Sequence, residues 1–238
     1  NSLRLSNAKT GHAHSPGLAK RESALTLSRM VHFTLFGIPV YIRPSFWVVL
    51  AIFGGALSIS SVEDLIYPAL FVIAGFIAIL SHEMGHALVG RRLGGGQQTI
   101  VLELFGGLTS SHGMQLTRGG RALMILAGPM MTLLLGIISL WLTWNIVAPV
   151  MASHNLDFWD LAISPFTAAL ISPKLYILSC LIMIGEWWTL LNLLPIYPLD
   201  GGQLIAQYIR SPRKVFMTGF ITAILIGLLS FQLFHGYF

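Results

Sequence analysis

Charged residues and cysteine are both scarce in this chain of 238 residues. Only 10% of the residues are charged, against about a quarter in an ordinary soluble domain, while 55% are hydrophobic. This composition excludes a disordered chain, argues against a soluble globular enzyme and indicates an integral membrane protein. The single cysteine, Cys180, excludes an intrachain disulfide framework and a zinc finger built on cysteine ligands. We interpret it as a small core residue.

The first 29 residues differ from the rest because they contain no long apolar run and no signal-peptide core. We interpret residues 1–29 as a disordered cytosolic tail, or as leader sequence before a start at Met30, and residues 30–238 as the folded domain. His12 and His14 lie in this tail, and their spacing alone does not indicate a metal site.

Five apolar segments are predicted to be transmembrane helices, because a helix that crosses a bilayer needs about 20 residues. They cover residues 45–60, 66–90, 121–148, 174–194 and 215–234. The predicted fold class is therefore an α-helical polytopic membrane protein. Residues 94–107 combine glycine-rich ends with a β-branched start, which predicts a strand or a short membrane-associated β-hairpin between the second and third helices.

Basic and acidic residues outside these helices fall on opposite sides of the predicted membrane. Basic residues cluster before the first helix, between the second and third, and between the fourth and fifth. The acidic pairs at 63–64 and at 157 and 160 fall in the other two loops, where Lys174 is the only basic residue. The positive-inside rule therefore predicts a cytosolic N-terminus. The net charge of +5 comes from the basic residues of the predicted cytosolic segments, and we expect no nucleic-acid partner.

Four other acidic residues of the predicted domain lie in or beside apolar segments, where ionisable groups are costly and are candidates for function. They are Glu83, Glu103, Glu186 and Asp200. For Glu186, which precedes two tryptophans, we favour structural pairing with a neighbouring helix over a role at the site. No role is assigned to Glu103.

Residues 82–86 of the second predicted helix form the pattern H-E-x-x-H. Side chains at positions i and i+4 share one helix face, so His82 and His86 can bind one metal ion. Glu83 can then act as the general base toward a metal-activated water. The alternative is a buried polar cluster that hydrogen-bonds to neighbouring helices.

The third ligand must come from another segment, and Asp200 is the best candidate. It lies in the run N-x-x-P-x-x-x-L-D-G over residues 192–201. Pro195 and Pro198 break the fourth predicted helix, and Gly201 permits a close backbone approach. A broken helix is tolerated at membrane depth only where it is buried in protein or lines a wet cavity. Taken alone, the run equally fits an ordinary turn between helices.

Together, in this order, the two motifs resemble those of the site-2 protease family of intramembrane zinc metalloproteases. Residues 37–46 resemble the strand that leads into the first helix of that family, and residues 127–129 resemble its A-G-P element. The resemblance covers residues 31–210. The loops are too short for an inserted PDZ domain, so we expect a compact form without PDZ or CBS domains and interpret residues 30–238 as the intramembrane metalloprotease domain.

The resemblance implies a role for each motif residue. It implies that His82, His86 and Asp200 bind one zinc ion per chain and that Glu83 activates the water. It also implies that Asn192 is a polar residue beside the site, whose amide can bond the substrate backbone or the developing oxyanion. Thr132 stands near where many relatives carry a second polar amide, which leaves the role of that position open.

The implied function is zinc-dependent intramembrane endopeptidase activity. The substrates would be membrane-anchored proteins, cut in or near their transmembrane segments during regulated intramembrane proteolysis. The expected location is a prokaryotic cell (inner) membrane, where the chain is a multi-pass protein in the lipid bilayer. Because a helix hides its peptide bonds, the substrate must unwind, and the edge of the predicted hairpin can hold it by β-augmentation. A plain cytosolic hairpin is the alternative.

Three other functions fit the same residues less well. A catalytically inactive membrane scaffold or chaperone of the same fold would be expected to lack the base, whereas Glu83 is present. A metal transporter would need polar groups along a path across the bilayer. A CAAX-type protease would take its third ligand from a downstream Glu or His motif in place of L-D-G. His112 and His32 are interpreted as polar surface residues.

Overall fold

The computed structural model describes residues 30–104, 106–154, 158–209 and 211–235. The predicted tail over residues 1–29, with His12 and His14, lies outside the described residues. The described part contains eight α-helices and four β-strands. The helices are α1 (Pro44–Phe53), α2 (Ile66–Gly94), α3 (Arg118–His154), α4 (Phe158–Ile163), α5 (Pro165–Ile171), α6 (Pro173–Leu193), α7 (Asp200–Ala206) and α8 (Pro212–His235).

Within the described residues, three helical segments are long and apolar enough to cross a membrane. They are Glu63–Gly94, Arg118–Ala148 and Pro173–Leu193. They correspond to α2, α3 and α6, and these three helices pack against one another. They match the second, third and fourth helices predicted from the sequence to within a few residues at most ends. The mostly helical, membrane-type fold is therefore confirmed.

The first predicted helix is shorter than expected. We predicted a helix over residues 45–60, but α1 ends at Phe53 and is 10 residues long. Gly55 has a left-handed φ of 88°, which ends the helical path, and a short 3-10 turn follows at Ala56–Ser58. Ten helical residues rise about 15 Å, or about half of the hydrocarbon core of a bilayer. The apolar composition of 45–60 therefore did not predict where its helix ends.

The small sheet is larger than the predicted hairpin. Its strands are β1 (Val31–Leu35), β2 (Ile38–Ile42), β3 (Gln97–Glu103) and β4 (Gly106–His112), in the order β1-β2-β3-β4. The hairpin predicted over residues 94–107 is present as β3 and β4, which pair antiparallel, but β4 continues to His112, beyond the predicted end. The segment that precedes α1 forms a second hairpin, β1 and β2, and joins the first through a parallel pairing of β2 with β3.

This parallel pairing fixes the path of α1 and α2. Val40 pairs with Ile100 and Ile42 with Leu102, so the chain before α1 runs beside the chain after α2. The segment between the two strands therefore leaves the sheet and returns to it. The Arg43 main-chain N–H donates to the Leu102 carbonyl at 2.9 Å, and the Arg43 guanidinium forms an ion pair with Glu103 at 3.1 Å.

Small residues bring the three long helices close together. A β-carbon at Gly85 of α2 would lie 2.3 Å from the carbonyl oxygen of Ala127 in α3, so these two helices touch through their backbones. About three turns earlier on α2, Ala74 packs in one buried cluster with Cys180 of α6. Cys180 is fully buried, as expected for a small core residue. This close packing places buried polar groups of α2 next to α3 and α6.

Candidate metal centre

The H-E-x-x-H residues lie inside the helical bundle, on the continuous helix α2. His82, Glu83 and His86 are only 2%, 5% and 7% exposed. The i, i+4 spacing places both imidazoles on one side of the helix, with their ring centroids 4.7 Å apart. Three polar side chains are thus buried in a predominantly apolar helix, where each needs a partner.

The second motif reverses the chain so that Asp200 reaches these histidines. Helix α6 ends at Leu193, and Asp200 is the first residue of α7. A β-carbon at Gly201 would lie 2.2 Å from the Leu193 carbonyl oxygen, and one at Gly202 would lie 2.4 Å from the Ile196 main chain. Only glycine at these two positions lets α7 fold back so tightly on the end of α6.

The three predicted ligands come together in the structure. Nε2 of His82 lies 3.0 Å from Nε2 of His86 and 3.0 Å from Oδ2 of Asp200, and the third side of the triangle, from His86 Nε2 to Asp200 Oδ2, is 3.2 Å. A tetrahedral zinc ion with ligand bonds of about 2.0–2.1 Å separates its ligand atoms by about 3.3 Å. The three donor atoms therefore fit one zinc ion in both spacing and chemistry.

A hydrogen bond on the far side of one imidazole fixes its tautomer. Nδ1 of His86 lies 2.8 Å from the main-chain oxygen of Met124 in α3. A carbonyl oxygen only accepts, so Nδ1 carries the proton and donates it. This leaves the lone pair of Nε2 facing the other two donors, as metal binding requires. The corresponding Nδ1 of His82 is buried without a hydrogen-bond partner in the described part of the chain.

Helix α3 leaves a space at the donor atoms. A β-carbon at Gly128 would lie 2.2 Å from His86 Nε2 and 2.8 Å from His82 Nε2. Any larger residue would fill the volume into which both nitrogens point. Gly128 belongs to the A-G-P element that the sequence resemblance singled out, and the structure supplies a physical reason for its glycine.

Glu83 points toward the sheet and is held there by β4. Its carboxylate Oε2 lies 2.7 Å from the Thr109 hydroxyl, and a β-carbon at Gly107 would lie 2.2 Å from its Cγ. Trp188 of α6 covers the neighbouring His82, with ring centroids 6.5 Å apart and nearly perpendicular planes. Glu83, the three donors and the sheet therefore form one continuous site.

Two other candidate residues have local partners. The side-chain amide of Asn192 donates to the Trp188 carbonyl at 2.9 Å, one turn earlier on α6. Thr132 is fully buried where α3 meets α6, and its hydroxyl lies 2.7 Å from that of Thr189. This contact assigns Thr132 to helix packing.

The remaining candidates lie away from the three donors. The pairing expected for Glu186 is absent from the described residues, because this side chain is exposed on α6 and forms no ion pair there. Glu103 is paired with Arg43 at the sheet. His112 is exposed at the end of β4 and His32 is exposed on β1, as expected for polar surface residues.

Sequence reasoning missed four residues that shape the site. They are Gly107, Thr109, Met124 and Gly128. Gly128 fell in the A-G-P element and Gly107 at the end of the predicted hairpin, but neither was given a role. These four residues act through a backbone atom, a hydroxyl or the lack of a side chain. Their residue types are common in loops, strands and apolar helices, so composition and spacing carry no signal for them.

Comparison with known proteins gives consistent matches. The profile of peptidase family M50 matches residues 70–234. A zinc metalloprotease of Methanocaldococcus jannaschii is 26% identical over 212 residues, which make up 84% of this chain and 54% of that protein. A relative from Synechocystis is 29% identical over 188 residues, or 74% of this chain and 43% of its own length. The chain thus spans about half the length of these curated relatives.

Among solved structures, the site-2 protease from Methanocaldococcus jannaschii has a similar fold. The TM-score is 0.54 at 24% identity, and the match covers 86% of this chain and 88% of that one. At this identity, the likeness concerns the fold alone.

Proposed function

The chain belongs to peptidase family M50, and from this premise we propose that it is a zinc-dependent intramembrane endopeptidase. Its substrates in this proposal are membrane-anchored proteins, and the hydrolysed peptide bonds lie in or near their transmembrane segments. We further propose that residues 30–238 form the metalloprotease domain, with His82, His86 and Asp200 as zinc ligands, and with Glu83 and Asn192 as the residues that act on the substrate.

One observation carries this proposal, namely the triangle of donor atoms with a carboxylate beside it. The three donors lie 3.0–3.2 Å apart and are at most 7% exposed. Glu83 follows His82 directly, is equally buried and has its own hydrogen bond from β4. Helices of membrane-spanning length surround the group. A site of this kind can bind a single water and hydrolyse a peptide bond inside the helical bundle, away from bulk water.

The chain's own residues supply the acid and base steps. A zinc ion held by the three donors would polarise the scissile carbonyl and make a water acidic enough to ionise near pH 7. Glu83 accepts a proton from the attacking water and later donates it to the leaving nitrogen. A single carboxylate can serve both steps because the first leaves it protonated for the second.

Asn192 is suited to bind the substrate. Its amide nitrogen carries two protons, and one of them is used in the bond to Trp188. That bond fixes the amide plane, so the second N–H has a defined direction and can donate to a substrate carbonyl or to the oxyanion that develops on it.

The position of β4 supports β-augmentation of the substrate. In the described part of the chain, β4 is an edge strand of the sheet, and its residues Gly107 and Thr109 touch Glu83. An unwound substrate segment that pairs with this edge would lie beside the base in an extended conformation. Main-chain hydrogen bonds to β4 would replace those that the substrate helix loses on unwinding.

An apolar groove lies beside the turn between β3 and β4 and can bind side chains of an unwound substrate segment. It has a volume of about 400 Å³ and lies between α1, α2, the β3–β4 turn and α6. Phe46, Leu104 and Trp188 are among its lining residues, and Trp188 also covers His82. A large apolar side chain near the scissile bond would therefore bury its surface in this groove.

We propose five membrane crossings with a cytosolic N-terminus in a prokaryotic cell membrane. The crossings beyond the three long helices would be formed by α1 with the turns that follow it, and by α8. The distribution of basic residues supports this orientation. The parallel pairing of β2 with β3 supports the two crossings between them, because the segment from α1 to α2 returns to the side from which it started.

The proposal is tested by comparing membrane proteomes of cells that express the wild type or the Glu83→Gln variant. Membrane-anchored substrates should accumulate with the variant, while its zinc content stays at about one ion per chain. Glu103→Gln, the same chemical change at a surface ion pair, should behave as the wild type. Identical proteomes for the wild type and Glu83→Gln would instead support an inactive scaffold or chaperone.

A further inference from the structure

The side chain of Glu83 is held by the sheet, whereas its own helix holds only its backbone. Its carboxylate Oε2 lies 2.7 Å from Oγ1 of Thr109 on β4. We propose that Thr109 is a positioning residue, which aims the carboxylate of Glu83 at the attacking water. This inference rests on the proposed function, because it assigns Glu83 the role of base.

The hydroxyl of Thr109 can serve only one acceptor at a time. It lies 2.7 Å from the carboxylate of Glu83 and 3.1 Å from the main-chain oxygen of the same residue. A hydrogen bond to a carboxylate is shorter and stronger than one to a neutral carbonyl. The proton therefore goes to Oε2, and Oε1 remains available to accept a proton from water.

The contact is possible because β4 presents two special residues on one face. Positions 107 and 109 point to the same side of a strand, since side chains alternate with a period of two. Gly107 has no side chain, so the strand closes on the methylene groups of Glu83, and Thr109 reaches the carboxylate beyond them. Leu108, which points the other way, is 55% exposed.

A glutamate has three rotatable side-chain bonds, so its carboxylate needs external contacts to stay in one place. Helix α2 anchors only the backbone of Glu83. The contact with the backbone of Gly107 and the hydrogen bond from Thr109 together define where the carboxylate lies. Because both are on β4, the strand proposed to bind the substrate also determines the position of the base.

The test uses Thr109→Val, which keeps the shape of the side chain but removes the hydroxyl, and Thr109→Ser, which keeps the hydroxyl. For Thr109→Val we expect about one zinc ion per chain, a KM within about threefold of the wild type and a kcat lower by about 10- to 100-fold, as small displacements of catalytic groups produce. Thr109→Ser should recover most of kcat. Thr34→Val, the same change on the exposed edge strand β1, is the matched control.

A second measurement does not depend on cleavage. The infrared carboxylate band that is present in the wild type and absent from Glu83→Gln should shift in Thr109→Val and return in Thr109→Ser. If Thr109→Val does not fold, Thr109→Ala replaces it with the same expectations.

The outcomes separate the two proposals. Cleavage by the wild type, none by Glu83→Gln and an unchanged kcat and band in Thr109→Val would overturn the positioning role alone. Equal cleavage by the wild type and Glu83→Gln would overturn the proposed function. A shift of the Glu83 band with loss of kcat, both reversed by serine, supports the role of Thr109.

Discussion

Gly128 of α3 lies directly against the imidazole of His86 in α2, so closely that a β-carbon at position 128 would be 2.2 Å from Nε2. Real β-carbons do not approach other atoms this closely, and the added methyl group would displace the ring from the other two donors. The contact between α2 and α3 therefore lies at the metal site itself.

Gly128→Ala should lower zinc content to well below one ion per chain and abolish cleavage. The matched control is Gly136→Ala on the same helix, where an added β-carbon has no neighbour within 4 Å. Alanine favours helix over glycine, so the control should keep its zinc and be at least as stable as the wild type. Zinc is measured by elemental analysis of the purified protein in detergent. Full zinc content in Gly128→Ala would contradict the described position of α3.

Asp200→Asn should also lose zinc while the protein remains folded. The amide has the size of the carboxylate and keeps an oxygen beside His82, but it lacks the negative charge that attracts a zinc ion. We expect the zinc affinity to fall by at least about 100-fold, measured by competition with a chelator. Glu103→Gln serves as the control. Unchanged zinc affinity in Asp200→Asn would remove Asp200 from the proposed ligand set.

Thr132 and Thr189 should stabilise the contact between α3 and α6. Their hydroxyl oxygens are 2.7 Å apart, and Thr132 also donates to the Pro129 carbonyl at 3.0 Å. Because both hydroxyls are buried, a valine at either position leaves the other without its partner. A double-mutant cycle of Thr132→Val and Thr189→Val should give a coupling free energy of about 0.6–1.7 kcal/mol in detergent unfolding. Additive effects would show that the two hydroxyls do not interact.

The ion pair between Arg43 and Glu103 should contribute little to stability. Both side chains are substantially exposed, at 49% and 38%, so water screens their attraction. The coupling free energy from Arg43→Ala and Glu103→Gln should lie at about 0–1 kcal/mol and shrink as salt is added. Detergent unfolding at low and high salt measures it. A coupling well above this range, or one insensitive to salt, would indicate that the pair is shielded from solvent in the folded protein.

Two features of the sequence were enough to predict the nature of the site. The i, i+4 spacing of His82 and His86 fixes their common face in any α-helix, because it depends only on local geometry. The apolar runs predicted the three long helices for the same reason, and glycine with β-branched residues predicted β3 and β4. The prediction of Asp200 as third ligand followed from the second motif and its breaks in the fourth helix.

Other features depended on which segments pack together, and local patterns do not contain that information. The end of α1 at Phe53, the second hairpin and the parallel pairing of β2 with β3 were not predicted. The Met124 carbonyl, the bare backbone of Gly107 and the hydroxyl of Thr109 entered the site only through contacts between distant segments. The sequence by itself thus determined which groups are candidates for the chemistry, since each of the two motifs that carry them is a local pattern. Only the tertiary structure decided which groups hold them in place, since that depends on the packing of helices against one another and against the sheet.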